Sequence, residues 1–434
     1  GYPTVTLITP GLKTGAFQSC CWDEMVIDTV EHNLEQSAFA DRRLTVAFVV
    51  HNFSVGGLER CIARLANALD RQRFRPVIIC LDKNGTAAQW LERDDISVIE
   101  LHKKPGNDLG VVRRLAKTLR EMSVDIVHSH NWGTLVETTL ARKLSGTATH
   151  LHAERGMELD ALNSSSWKRK LRGRATRWAL ERSDCVVAVA EAVRRQVLQR
   201  CGRLHQEILV IPNGVSRPEI DPQGPTAEEI RQQYSIPSDA VVVGSVGRLV
   251  PVKDFGLAID AVAHLAGNGR NVHLMLVGDG SELPRLTAHA ATSGFADNIH
   301  LVGHREDVAN WLAAMDVYVN CSLNEGMSQS VLEAMSTGLP LVVTDVGDSG
   351  LLVGGEEAVG RVVPSGDVEA FATALDEMIT DNQLRRELGQ RSILRHQECY
   401  SLDGMIARYE ALYETLSGAQ SCVGDSIQTT EPVT

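Results

Sequence analysis

From residue 44 onward, apolar runs of strand length alternate with segments whose apolar residues recur three and four apart. Runs of the first kind suit parallel strands buried on both faces; segments of the second kind suit the crossover helices that cover them. In the first half the strand-like runs are LTVAFVVH, RPVIICL, ISVIEL, VDIVHSH, ATHLHA, CVVAVA and EILVIP, with helical patterns such as LERCIARLANALD and VVRRLAKTLREM between them. The second half restarts at AVVVGSVG and continues through VHLMLVG, NIHLVG, DVYVNCS and LPLVVTD. The pattern predicts an α/β protein of two doubly wound, parallel-sheet domains facing a cleft. In such folds ligands gather at the carboxyl ends of the strands.

The breaks in this alternation set the expected boundaries. Residues 1–43 contain one strand-like run, VTLIT, but no clear continuation, and are expected to be an N-terminal extension. The first Rossmann-like domain is expected over 44–212 and the second over 226–398. Between them PNGVSRPEIDPQGP is rich in Pro and Gly and predicts a linker over 213–225. YSLDGMIARYEALYETL predicts a last helix over 399–418, followed by a disordered tail over 419–434.

With 434 residues the chain can bury two cores, and its 43% hydrophobic and 23% charged content is that of a globular protein. A formal charge of -12 argues against a general nucleic-acid binder, which needs a basic face. Nine scattered cysteines without a Cys-x-x-Cys pair fit a reduced compartment better than a disulfide scaffold. Membrane-span and secretion-signal patterns are both missing, so the expected location is cytoplasmic, with any membrane contact peripheral.

The richest chemistry lies in NEGMSQSVLEAMSTGLPLVVTD, residues 324–345, directly after a predicted strand. Glu325 falls in the strand-to-helix loop, Gly326 allows close backbone approach, and Ser328 is placed to cap a helix that stops at TGLP. The free amides of such a first turn seat phosphate, and Glu333, further along, can accept hydrogen bonds from a ribose diol. The same residues also read as an ordinary capped amphipathic helix. In VGSVGRLVPVKDFG a strand ends at Gly247, followed by Arg248 and Lys253; a guanidinium and an ammonium there suit a diphosphate, or are plain surface cations.

Gly-Arg-x4-Lys followed by Glu-Gly-Met-Ser-x4-Glu-Ala-Met resembles family 4 glycosyltransferases of the GT-B fold, over roughly residues 44 to 416. The wording is similar to that of bacterial exopolysaccharide and lipopolysaccharide sugar transferases. Met327 and Ser328 depart from the commoner version, which has an aromatic residue and a glycine there. The resemblance implies retaining hexosyl transfer from a nucleotide-sugar to a hydroxyl acceptor. The residues leave UDP-sugars and GDP-mannose both open as donors, with UDP-sugars favoured, and a sugar or lipid-linked sugar is the expected acceptor. The resemblance also implies Glu325 on the donor sugar and Glu333 on the ribose. Arg248 and Lys253 would meet the diphosphate, assisted by the amides of Met327, Ser328 and Gln329.

In the first half, Gly56 and Gly57 stand between the first strand and a helix, as a tight turn or an amide-lined helix start. The resemblance places this loop beneath the donor phosphates. Histidines cluster in VHSHN and THLHAERG, and strand-end histidines are often structural. The resemblance implies His152 as the active-site histidine, His130 beside the acceptor, and Arg155 as an acceptor or phosphate contact. Neither H-E-x-x-H nor Asp-x-Asp occurs, so no metal and no further cofactor is expected.

WKRKLRGRATRWALER, residues 167–182, is basic and bounded by tryptophans, which suits either an anionic membrane surface or a solvated helix face. The alternatives are a nucleotide-sugar epimerase on the same fold and a non-catalytic nucleotide-sugar-binding subunit. A dinucleotide dehydrogenase is disfavoured, because Leu283 stands where the third glycine after Gly278 and Gly280 would be.

Overall fold

The structure is a computed structural model describing residues 42–424, apart from 55, 107, 147, 157–165 and 356. The VTLIT run lies outside the described residues. The apolar runs form two all-parallel sheets. The first contains β1 (Leu44–Val50), β2 (Phe74–Cys80), β3 (Ser97–Glu100), β4 (Ile126–His130), β5 (Thr149–Glu154), β6 (Cys185–Ala188) and β7 (Ile208–Val210), in the order β3-β2-β1-β4-β5-β6-β7. The second contains β8 (Val241–Val246), β9 (Val272–Val277), β10 (Ile299–Gly303), β11 (Val317–Asn320), β12 (Leu341–Thr344) and β13 (Gly360–Val363), in the order β10-β9-β8-β11-β12-β13. Strand β13 was not anticipated. Its sequence, GRVV, is short and carries a charge, and it forms because β12 offers a free edge along all four residues.

Each sheet is covered by helices on both faces. In the first, Phe48, Ile62, Ile78 and Leu151 share one core, while Val49, Ile79, Leu115 and Val127 share the core on the opposite face. In the second, Val243, Ile259, Leu274, Val319 and Phe371 meet between β-sheet and helices. Strand order reverses between β1 and β4 and between β8 and β11, making two switch points where crevices open at the carboxyl ends.

The last helix, Leu402–Gly424, returns to the first sheet and buries Met405, Ile406, Tyr409 and Tyr413 there. It continues past the expected end at Gly418. Residues 419–424 contain no proline, so the helix propagates through the glycine, which costs only about 1 kcal/mol. Val215 forms an isolated bridge with Ser401 where the chain crosses in both directions.

Candidate functional site

The connections after β1, β8 and β11 carry most of the residues singled out above, and they meet. Leu323 N donates to Val252 O at 2.8 Å, stitching the connection after β11 to the one after β8. Lys253 closes a single 3-10 turn, Pro251–Lys253, and its Nζ donates to Glu325 Oε1. The same oxygen accepts from Ser322 Oγ at 2.9 Å. Both ends of this ion pair keep a window on solvent, at 19% and 17% side-chain exposure. Lys253 Cε would lie 3.9 Å from a Cβ at Gly247, so the lysine stem runs alongside the end of β8. Arg248 is exposed beside it.

Glu333 lies one helical turn inside Gln329–Thr337 and is 8% exposed. Its Oε1 accepts from Arg64 Nη2 at 2.6 Å, while Arg64 Nη1 donates to Gln329 Oε1 at 3.0 Å. Gln329 Nε2 in turn donates to the carbonyl of Gly57 at 2.5 Å. Arg64 and Gly57 belong to the first domain, on the helix Gly57–Ala68, so these bonds cross the cleft. Ser328 occupies the N-cap position, but its hydroxyl faces Ser330 Oγ at 3.2 Å instead of capping. The first-turn amides therefore receive no side-chain cap and remain suited to an anion.

Glu59, in the first turn of Gly57–Ala68, folds back over Gly56. Burial raises its pKa, with its own backbone amide and the Arg248 charge pulling the other way.

The turn at 325–328 is pressed against the first domain. A Cβ on Gly326 would come within 3.3 Å of Val193 Cγ2 and 3.4 Å of Gly156 Cα, leaving no room for a larger residue without movement. Met327 packs on the apolar cluster of Leu135, Val189, Val193 and Val197. The methionine that departs from the commoner family wording is a contact between domains. Val193 belongs to the helix Glu191–Cys201, whose first two amides donate to the carboxylate of Asp348 in the second domain, at 2.6 and 2.7 Å.

The histidines stand elsewhere. Strand alternation sends His128 and His130 to one face of the first sheet and His150 and His152 to the other. His128 and His130 stack at 4.2 Å, and His128 Nδ1 pairs with Tyr413 OH at 2.9 Å on the returning helix. On the opposite face Ser129 Oγ bridges His150 Nε2 and His152 Nδ1, each at 2.8 Å. His152 is fully enclosed and lies 3.6 Å from Glu154, which Arg200 also holds. Burial pushes the pKa of His128, His130 and His150 well below the ordinary histidine value. Burial would raise Glu154, but His152 and Arg200 together bring it below the usual carboxylate value.

Arg155 is half-buried. Its guanidinium donates to Cys61 Sγ at 3.0 Å, Asn213 Oδ1 at 3.2 Å and Tyr409 OH at 3.1 Å. The structure thus places His152 and His130 among the strands, on Ser129 of β4 and the carbonyl of Val49 on β1, while Arg155 reaches Tyr409 on the returning helix. The carbonyl of Arg155 comes close to Gly326.

Residues 55–217 match the family model described as Glycosyltransferase Family 4, and residues 226–395 match the one described as Glycosyl transferases group 1, together more than half of the chain. The chain belongs to glycosyltransferase family 4. Its two parallel sheets are the GT-B fold, and a crystal structure of a glycosyltransferase from Rickettsia africae superposes with a TM-score of 0.73, at 22% identity, over 86% of this chain and 99% of that one. A lipopolysaccharide core biosynthesis glycosyltransferase from Rhizobium meliloti is 34% identical over 48% of this chain and 58% of its own length. An Escherichia coli UDP-Gal:alpha-D-GlcNAc-diphosphoundecaprenol alpha-1,3-galactosyltransferase is 28% identical over 76% of this chain and 86% of its own. The relatives named are transferases; neither is an epimerase.

In this family 4 glycosyltransferase the motif residues Lys253, Glu325, Gln329 and Glu333 were legible in advance, and their first-domain partners were not. Arg64 and Glu59 sit far upstream on a first-domain helix, and only the fold brings them to the motif; Asp348 lies just beyond the motif, and its partners Glu191 and Ala192 are the distant residues. Glu59, three residues past Gly56, was the one with a local signal: a carboxylate in the first turn of a glycine-led helix. Among the described residues no helix is long and apolar enough to cross a membrane.

Proposed function

We propose that this enzyme transfers a hexosyl group from a nucleoside diphosphate sugar to a hydroxyl of a sugar or lipid-linked sugar, with retention, in the building of a bacterial polysaccharide or glycolipid. The observation that carries this reading is the pairing of Lys253 with Glu325 at the β8–β11 switch point, beside Arg248 and an uncapped helix start. Cations, amides and a sugar-binding carboxylate are thus prearranged around one spot, where a pyrophosphate joined to a sugar fits.

Lys253, Arg248 and the amides of the 327–329 turn would take up charge as the bond between the anomeric carbon and the phosphate oxygen breaks. Glu325, fixed by Ser322, would hold donor hydroxyls next to the reacting carbon. Glu333 would accept from the ribose diol, and Gly56, Gly57 and Gly247 would let the backbone come close to the phosphates. The acceptor oxygen forms the new bond on the same face, and its proton passes to the departing phosphate oxygen. No metal is invoked, because the two cations and the amides carry the charge. UDP-sugars are favoured over GDP-mannose, supported by the UDP-Gal donor in the name of the E. coli relative. A panel of UDP- and GDP-sugars with lipid-linked and simple glycoside acceptors, read by mass spectrometry and NMR of the product anomer, tests the reading. Glu325→Ala should lose about 100-fold or more in turnover; near wild-type rates in that variant would remove the assigned site.

We propose, further, that the helix Ser166–Leu180 rests on an anionic membrane from the cytoplasmic side. Its start exposes Trp167 and Leu171, at 64% and 59%, beside the exposed cations Lys170 and Arg174. Apolar anchors interleaved with positive charge favour a charged interface. Sedimentation with phosphatidylglycerol vesicles should capture the protein and lose it on Lys170→Glu/Arg174→Glu; equal capture of that variant would overturn the docking.

A further inference from the structure

The helix Glu191–Cys201 begins in an unusual way. Its N-cap, Ala190, has extended backbone and a side chain that cannot accept a hydrogen bond. Alanine is among the poorest residues at that position, and the amides it leaves open must find another acceptor. They find Asp348, more than 150 residues on, in the second domain. Glu191 N meets Oδ2 and Ala192 N meets Oδ1, so both carboxylate oxygens are used at once. Asp348 is 3% exposed. A carboxylate this buried is tolerable only where charge-assisted bonds and the positive end of a helix face it.

Two further contacts tie this cap to the proposed site. Gly347, immediately before Asp348, has φ +57°, and a Cβ there would overlap the carbonyl oxygen of Glu325. The turn carrying the cap is therefore laid directly on the turn carrying the sugar-binding carboxylate. From the other side, Val193 of the capped helix abuts Gly326, and Met327 enters the same apolar cluster. Cap, helix and motif turn close a ring through both domains.

We infer that Asp348 is a positioning residue for the transfer reaction: by capping the first-domain helix in trans it holds the turn at 325–328 in the closed arrangement that aims Glu325 at the donor sugar. This rests on the reading of Glu325 given above. Asp348 itself touches no substrate. Its effect is on how often the enzyme is closed, so it governs turnover more than capture of the nucleotide.

The test uses the full chain without substrate, then with donor and acceptor. Asp348→Ala should speed amide hydrogen exchange about tenfold both in the first turn of Glu191–Cys201 and at Leu332, whose amide donates to the carbonyl of Ser328 in the motif turn, in line with the loss of a charged cap. Asp348→Asn, which keeps one acceptor oxygen, should fall between. Turnover should drop about tenfold with UDP affinity within twofold of wild type. A second variant separates positioning from simple helix stability: Ala190→Asp in the Asp348→Ala background gives the helix a cap of its own. It should restore protection in the helix but neither protection at Leu332 nor turnover. Unchanged exchange at Leu332 in Asp348→Ala, or full recovery of turnover on adding Ala190→Asp, would overturn the inference. A wild-type protein that bound no UDP would instead count against the functional reading, leaving the exchange result to stand alone.

Discussion

Arg64 of the first domain donates to Glu333 of the second at 2.6 Å, so the carboxylate expected to hold a ribose already holds a cation from across the cleft. The pair is mostly enclosed, with side-chain exposures of 19% and 10%. One oxygen of Glu333 is engaged. On the proposed reading the other would meet the ribose diol, so nucleotide recognition and the contact between domains would share one side chain.

Arg64→Ala leaves that carboxylate enclosed without its cation. Because the pair is partly solvated, the expected cost is about 1–3 kcal/mol, below the range for a fully buried pair. Urea denaturation should show a lower midpoint. Glu333→Gln, which retains an acceptor for Arg64, should cost less stability yet weaken UDP binding about tenfold or more, as expected for a lost charge-assisted hydrogen bond. Equal stability losses in the two variants would contradict the pairing.

The buried histidines set an acid limit. His128, His130 and His150 stay neutral in the fold because burial lowers their pKa well below 6.5, whereas in the unfolded chain they take up protons near that value. The unfolded state then binds more protons, so stability falls as pH drops below 6.5. Three such groups give a slope approaching about 4 kcal/mol per pH unit. Glu154, lowered below 4.5, adds stability that is present above that value and lost as pH falls through its folded pKa. Denaturation midpoints between pH 7.5 and roughly 5 check this; a flat profile would contradict it.

The phosphate charge is assigned to side chains and amides alone, so transfer should continue at an unchanged rate in excess chelator. Loss of most activity, restored by manganese, would reassign that charge to a metal ion.

Much of the fold was legible because its strands are apolar on both sides. A run such as VHLMLV has few alternatives once glycines follow it. Strand β13 was hidden because its pairing depends on an edge supplied by β12, and nothing in GRVV announces it. The motif of Lys253, Glu325 and Glu333 was legible because its parts lie at fixed spacings on two connections. The surroundings of the histidines were not legible for a physical reason: strand alternation gives the face a side chain takes, but not which distant helix covers that face. Tyr409 and Tyr413 cover one face from nearly 300 residues away, and no local pattern in VHSHN could show that.

The central claim is that Lys253 and its neighbours form a pocket for a pyrophosphate. Calorimetric titration of UDP into the full-length wild type and Lys253→Ala, side by side, tests it most directly. Saturable binding to the wild type, weakened about 10- to 100-fold in the variant, is the predicted result, matching one charge-assisted contact to phosphate. Equal affinity in both proteins, or no binding to either, would contradict it.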